Sequence, residues 1–284
     1  MERLSTLASW REFAQAQRDA HRRVALVPTM GALHEGHLSL VRRARDNGDV
    51  VMLTSFVNPR QFSDDADLAR YPRTPDSDAD LARSNGVQAL VTPSLEEMWP
   101  DYPADTLTTV SVRALGDLLE GVGRPGHFDG VASVVAKLVA VSGPCRAYFG
   151  EKDFQQLVIV RRMVRDLAFD VEVVGCPTQR DETGLALSSR NERLSAEGRR
   201  QATALSRALV AARASTSPAS ERRALMSEIM AAARVEVAYA DIVDPETLLS
   251  LSDEDRGAAR ALVAGVVEGV RLIDNDVVDV ETGG

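Results

Sequence analysis

His34 and His37 stand three residues apart in the run Pro28-Thr29-Met30-Gly31-Ala32-Leu33-His34-Glu35-Gly36-His37. Two imidazoles at that spacing can donate hydrogen bonds to phosphate oxygens and stabilise charge that develops during attack at phosphorus. Gly31 and Gly36 let the backbone approach such a ligand closely. A zinc-protease motif needs two histidines four apart on a helix with a glutamate between them. Here Gly36 interrupts the pair and no third ligand is evident from spacing, so zinc is the weaker reading. The bland alternative is one histidine capping a helix and the other packing in the core.

Three further segments carry side chains suited to an anionic or polar ligand. In Phe56-Val57-Asn58-Pro59-Arg60-Gln61-Phe62, the amides of Asn58 and Gln61 can recognise hydroxyl and carboxylate groups without adding charge. A polar turn opened by Asn-Pro is the competing account. In Gly150-Glu151-Lys152-Asp153-Phe154-Gln155-Gln156, Lys152 can meet phosphate as a point charge, Asp153 can cap a helix, and Gln156 can read a polar group. In Leu187-Ser188-Ser189-Arg190-Asn191, two hydroxyls and a guanidinium can close over phosphates. The stretch Gly121 to Gly130, with Arg124 and His127, either lines a site or reflects turn geometry alone. The phosphate loop ending in Gly-Lys-Ser/Thr, the Gly-x-Gly-x-x-Gly turn and the Gly-x-Ser-x-Gly elbow are all absent from the sequence.

Each segment sits where a strand hands over to a helix. Val24 to Pro28 reads as a strand, and a helical pattern from near His37 places Leu38, Val41 and Ala44 on one stripe before Asn47-Gly48 ends it. Val50 to Val57 reads as a buried strand. Strand, turn, helix and strand make a βαβ unit. The alternation continues through a helix over Ala79 to Ser84 and strands over Val87 to Thr92, Arg146 to Phe149 and Val171 to Gly175. Val131 to Val141 and the stripe from Leu157 to Leu167 read as helices. This is a doubly wound α/β pattern, in which ligands bind beyond the carboxyl ends of the strands and helix N-termini favour phosphate.

The character changes near Pro177. Ser195 to Arg234 reads as two helices joined at Ser215 to Ser220, and Val235 to Val243 as a strand. Arg260 to Val267 and Val270 to Asp274 either pair around Glu268-Gly269 or form one helix. Two domains are therefore expected, residues 1–177 and a smaller α+β domain over residues 178–284.

The 284-residue chain is 44% hydrophobic and 26% charged, as globular proteins are, and its net charge of -9 argues against a nucleic-acid binder. Cys145 and Cys176 are the two cysteines, too few for a disulfide scaffold. The N-terminus lacks the cationic start and apolar run of a signal peptide, and no stretch is long and apolar enough for a spanning helix. A cytoplasmic location, no membrane and reduced thiols are expected.

Taken in order, PTMGALHEGHLSLV, FVNPRQF, YPRTPDSD, EGVGRPGHFDGV, YFGEKDFQQL, GLALSSRN and RLIDN closely resemble the pantoate–β-alanine ligases, from Pro28 to Asn275. The resemblance implies a Rossmann-like nucleotidyltransferase domain that binds ATP and pantoate, a C-terminal lid and a homodimer. It implies ATP-dependent condensation of (R)-pantoate with β-alanine through a pantoyl adenylate, releasing AMP and pyrophosphate. Met30, Gly31, His34 and His37 would cradle and activate the triphosphate. Lys152, Ser188, Ser189 and Arg190 would hold phosphates, Gly150 and Asp153 would lie against the nucleotide, and Asn58 would support the phosphate side. Gln61 and Gln156 would read pantoate beside a wall of Phe56, Val131 and Val135. Gln179 departs from the aliphatic residue usual in the family near adenine, a contact expected through backbone. No protein ligand for Mg²⁺ is evident, so the metal is expected to arrive on ATP. The rival readings are another nucleotidyltransferase of this fold acting on a different acidic substrate, and a silent nucleotide-binding protein.

Overall fold

The computed structural model describes residues 1–62 and 65–280. The backbone forms two compact units, Met1–Glu151 with Gln156–Pro177, and Lys152–Gln155 with Thr178–Gly284.

The first unit is built on strands β1 (Glu2–Leu4), β2 (Val24–Thr29), β3 (Val50–Ser55), β4 (Ala89–Val91), β5 (Cys145–Gly150) and β6 (Val171–Cys176). They form one sheet in the order β1-β4-β3-β2-β5-β6, every neighbour parallel. Its helices are α1 (Leu7–Asp19), α2 (Glu35–Asp46), α3 (Asp65–Arg70), α4 (Pro75–Ser84), α5 (Leu95–Met98), α6 (Glu120–Gly123), α7 (His127–Ser142) and most of α8 (Phe154–Asp166). A parallel sheet covered on both faces needs strands apolar on both faces, and Val24–Val27 and Val50–Leu53 are buried without a break. The chain steps outward from β2 through β3 to β4, then returns to lay β5 along the other side of β2. The order reverses between β2 and β5, the kind of switch point beyond whose strand ends open α/β sheets bind ligands. The turn carrying His34 follows β2, and Gly150 closes β5.

Several boundaries differ from the sequence expectation. α4 starts at Pro75 rather than Ala79, β3 ends at Ser55 rather than Val57, and the last strand runs to Val280 rather than Asp274. β4 is shorter than Val87 to Thr92, because the Val87 N–H still closes the end of α4 on the Ala82 carbonyl. α7 starts at His127 rather than Val131, after Gly126 takes a left-handed conformation at its N-cap. β1 and α1 lie outside the sequence expectation, although Thr6 caps α1 and its buried Trp10, Phe13, Ala14 and Gln17 recur at helical spacing. Three residues are too few to show a period, and β1 exists because β4 offers it a parallel edge, Glu2 opposite Ala89.

The second unit packs α9 (Ala196–Ala214) and α10 (Ala219–Ala232) on an antiparallel sheet of β7 (Glu236–Val243), β8 (Gly257–Val267) and β9 (Val270–Val280). Leu205, Leu209, Met226, Met230, Ile242 and Val263 lie in its core. The ambiguous tail is a hairpin. Glu268 and Gly269 both have positive φ, 50° and 75°, which matches a two-residue turn with the twist of its strands. Glu268 is tied down by the Ser195 N–H at 2.8 Å and by the Ser195 hydroxyl. Arg180 grips the buried Asp274 carboxylate with both guanidinium nitrogens, at 2.6 and 2.9 Å. Lys152–Gln155 belong to this unit for a local reason. The Asn275 side chain donates to the Lys152 carbonyl at 2.8 Å, and the Arg260 guanidinium lies 4.2 Å over the Phe154 ring. Among the described residues no helix is long and apolar enough to cross a membrane.

Candidate active site

The histidine turn is held from below before any ligand is considered. The Thr29 hydroxyl donates to the Thr54 carbonyl at 2.6 Å and accepts from the Gly31 N–H at 3.2 Å. Gly31 and Ala32 then take consecutive left-handed conformations, φ 81° and 48°. A Cβ on Gly31 would lie 2.8 Å from the Ser55 hydroxyl oxygen and 2.9 Å from an Asp78 oxygen, so no larger residue fits. Asp78, buried at the start of α4, accepts from the N–H groups of Ala32 at 3.0 Å and Leu33 at 2.8 Å. That carboxylate compensates the strain of Ala32 and is what YPRTPDSD contributes.

His34 is the N-cap of α2, and with His37 it forms a reciprocal capping box. His34 Nδ1 accepts from the Gly36 N–H at 3.1 Å, and His37 Nδ1 accepts from the His34 N–H at 3.4 Å. A nitrogen that accepts carries no proton, so the proton of each neutral ring sits on Nε2. The rings lie 4.1 Å apart between centroids, tilted by 37°, at a helix N-terminus, which favours negative charge. Both imidazoles thus serve as caps of α2.

Asn58 caps the short turn Pro59–Gln61 and is buried. Its Nδ2 donates to Gln61 Oε1 and to the Gly130 carbonyl, each at 3.1 Å, and its Oδ1 accepts the Trp99 indole N–H at 3.0 Å. These bonds engage both ends of the amide, and one of them comes from Trp99, 41 positions away. Gln61 Nε2 donates to Met30 Sδ at 3.1 Å, bringing the amide turn to the histidine turn. Phe56, Val131 and Val135 are buried apolar side chains of this unit, and α7 approaches the amide turn closely at Gly130. Gln156 is half-buried in the first turn of α8, whereas Gln155 is buried.

In the second unit, Lys152 Nζ is 3.4 Å from Asp153 Oδ1. The Ser188 hydroxyl accepts from the Arg190 N–H at 3.3 Å and so caps the short helix Ser189–Arg193 that carries Arg190. The Gln179 carbonyl accepts from the Leu187 N–H at 2.9 Å, tying position 179 to the start of that loop. Burial pushes the Cys145 thiol up to about 12 and the Cys176 thiol up to about 11, so neither is a thiolate nucleophile at neutral pH. Among the described residues no group of three or more His, Cys, Asp or Glu is placed to hold a metal ion.

A family model described as pantoate-beta-alanine ligase matches residues 2–277. The chain belongs to the pantoate–β-alanine ligase family. It is a carbon–nitrogen-bond-forming ligase. The pantothenate synthetase of Cereibacter sphaeroides is 50% identical over 279 residues, covering 96% of this chain and 98% of its own. That of Moorella thermoacetica is 46% identical over 287 residues, covering 99% of each. The crystal structure of the Thermus thermophilus pantothenate synthetase superposes with a TM-score of 0.88 at 48% identity, covering 99% of this chain and 100% of that one. A pantoate–β-alanine ligase from Francisella tularensis, solved with beta-gamma ATP and β-alanine, gives a TM-score of 0.81 at 31% identity, covering 100% of this chain and 99% of that one. PTMGALHEGH, FVNPRQF and GEKDFQQL thus follow β2, β3 and β5 in a fold shared with solved ligases. Asp78, Trp99 and the Arg124–His127 pair are the supporting residues that sequence reasoning left without a role.

Proposed function

We propose that this chain performs its family's reaction, the ATP-dependent condensation of (R)-pantoate with β-alanine, in two half-reactions joined by a pantoyl adenylate. A carboxylate resists attack by an amine because its leaving group would be oxide. In the first half-reaction a pantoate carboxylate oxygen bonds to the α-phosphorus of ATP, and the bond to the bridging oxygen breaks as pyrophosphate leaves. In the second, the β-alanine amine bonds to the acyl carbon and loses a proton as AMP departs with the carboxylate oxygen. The protein's task is to position these groups, stabilise charge and keep water from the mixed anhydride.

The observation that carries this reading is the pair of Nε2–H donors on His34 and His37, whose rings lie 4.1 Å apart and tilted by 37° at the N-terminus of α2. Two neutral donors on a rigid helix start suit phosphate oxygens whose charge grows as pyrophosphate leaves. Met30 and Gly31 form the cradle. Gln61 and the half-buried Gln156 read pantoate, with Phe56, Val131 and Val135 as its apolar wall. Lys152, Ser188, Ser189 and Arg190 hold phosphates. Asp153 and Gly150 lie against the nucleotide, and Gln179 meets the adenine through backbone. Mg²⁺ fits best as an ion carried in by the triphosphate, which places it among phosphate oxygens rather than in a protein cage. A cytoplasmic homodimer is proposed on the same resemblance.

The test is exchange of labelled pyrophosphate into ATP with pantoate present and β-alanine absent. Exchange that requires pantoate supports the adenylate. Product formation without any exchange, from folded protein, would count against it. Gln156→Ala is expected to raise the pantoate KM by about tenfold or more, the scale of a hydrogen bond to a charged group, with the ATP KM within about twofold. Steady-state kinetics on both substrates checks this, and equal weakening of the two would remove Gln156 from the pantoate site.

Gly150 offers a second check. A Cβ added there meets no protein atom within 4 Å, so the protein's own packing does not require glycine. Gly150→Ala is expected to keep or slightly raise stability, by up to about 1 kcal/mol. It should raise the ATP KM by about tenfold through crowding of the nucleotide. Thermal melts beside ATP titrations decide it, and an unchanged ATP KM would detach Gly150 from the nucleotide.

A further inference from the structure

An indole N–H can only donate and a backbone carbonyl can only accept. These two groups hold the Asn58 amide from opposite sides. Trp99, 5% exposed, donates to Asn58 Oδ1 at 3.0 Å, while Asn58 Nδ2 donates to the Gly130 carbonyl at 3.1 Å. Which end of Asn58 is oxygen and which is nitrogen is therefore fixed by its surroundings. The same Nδ2 donates to Gln61 Oε1 at 3.1 Å, so the oxygen of Gln61 is engaged and its Nε2 is turned toward Met30 Sδ, 3.1 Å away.

The backbone of Gln61 is held with equal definition. His127 Nδ1 lies 2.7 Å from the Gln61 carbonyl, and Arg124 Nη1 lies 3.0 Å from His127 Nε2. A carbonyl accepts and a guanidinium donates, so His127 carries its proton on Nδ1 and passes one donor along the line. Trp99 is in turn clamped between cations, with the Arg60 guanidinium 5.1 Å and the Lys137 ammonium 5.3 Å from its ring centroid. Two separated segments, around Trp99 and around His127, thus converge on one glutamine.

We propose that Trp99 is a positioning residue that, through Asn58, sets the polarity of Gln61, so that the pocket beside the histidine turn offers an N–H donor to the substrate. The proposal rests on the reading of Gln61 as a contact of pantoate. A thioether is a weak acceptor, so the Gln61–Met30 bond gives way readily to a carboxylate or hydroxyl oxygen. A glutamine facing the other way would present its carbonyl, which repels a carboxylate oxygen because neither group can donate. The polarity of the amide chain therefore selects an oxygen-rich acid at this position.

The experiment compares wild-type enzyme with Trp99→Phe and with a form in which Trp99 is replaced by β-(3-benzothienyl)alanine. The second has the shape and aromatic face of tryptophan without the N–H, so it reads the hydrogen bond even where the phenylalanine cavity damages the fold. Loss of that bond is expected to raise the pantoate KM by about fivefold, with kcat and the ATP KM within about twofold of wild type. Gln61→Glu, which keeps the shape but replaces the donor by an acceptor, is expected to raise the pantoate KM by about a hundredfold. An unchanged pantoate KM in the benzothienyl protein overturns the proposal, as does a parallel rise in both KM values, which would mark Trp99 as structural. Wild-type enzyme whose exchange ignores pantoate would overturn the substrate reading and this proposal with it. Pantoate-dependent wild type with an unaffected variant overturns this proposal alone.

Discussion

His37→Ala is expected to slow pantoate-dependent pyrophosphate exchange by about 10²–10³-fold, the scale for removing one preorganised donor from a charge-stabilising site. The same change removes half of the capping box at α2, since His37 Nδ1 accepts the N–H of His34 at 3.4 Å. That loss should cost about 1 kcal/mol of stability. The two effects can be separated by His37→Gln. Glutamine at the third helical position also completes a capping box, so the stability should return in a denaturant titration. Exchange should not return with it, because the flexible amide does not reproduce an Nε2–H on a rigid ring packed 4.1 Å from its neighbour. Full exchange activity in either variant would remove His37 from the chemistry and leave it as a cap.

Gly130→Ala is expected to destabilise the first unit by about 3 kcal/mol or more and to weaken pantoate binding together with it. Gly130 lies within α7, so its backbone conformation suits alanine and the penalty is purely steric. A Cβ there would lie 2.1 Å from the Arg60 carbonyl oxygen, 2.5 Å from its carbon and 2.8 Å from the Gln61 nitrogen. Backbone cannot swing aside as a side chain can, so the amide turn and α7 must separate by roughly 1 Å. That movement breaks the bond from Asn58 to the Gly130 carbonyl and carries Gln61 with it. Denaturation midpoints and the pantoate KM would both shift. A variant of wild-type stability would show that the two segments do not pack this tightly, while a destabilised variant with normal pantoate KM would uncouple Gly130 from the substrate.

The alternation of strand and helix up to Pro177 was readable in the sequence because each strand is a short apolar run and each helix a 3.6-residue stripe between turn signals. Val24 to Pro28, Val50 to Val57 and the Leu38–Val41–Ala44 stripe are examples whose burial matches the pattern. His34, His37, Lys152, Arg190 and the amides of Asn58, Gln61 and Gln156 were legible as residue types suited to an anion or an acid, which is what made them candidates. The hairpin of β8 and β9 was not decided locally. Its apolar runs fit a helix as well, and pairing with β7 together with the anchoring of Glu268 at Ser195 settled the outcome.

What tertiary structure alone decided is how those chemical groups are aimed. The proton position on His34 and His37 is the local exception, set by the N–H groups of Gly36 and His34 within the capping box of α2. The strain at Gly31 and Ala32 is sustained by Asp78, 46 positions beyond Ala32. The orientation of Gln61 depends on Trp99 and His127, residues 41 positions from Asn58 and 66 from Gln61. A residue's type sets which hydrogen bonds it can make, and local pattern sets the element it stands on. Which partner it meets depends on distant segments packed against it, and no local pattern encodes that direction.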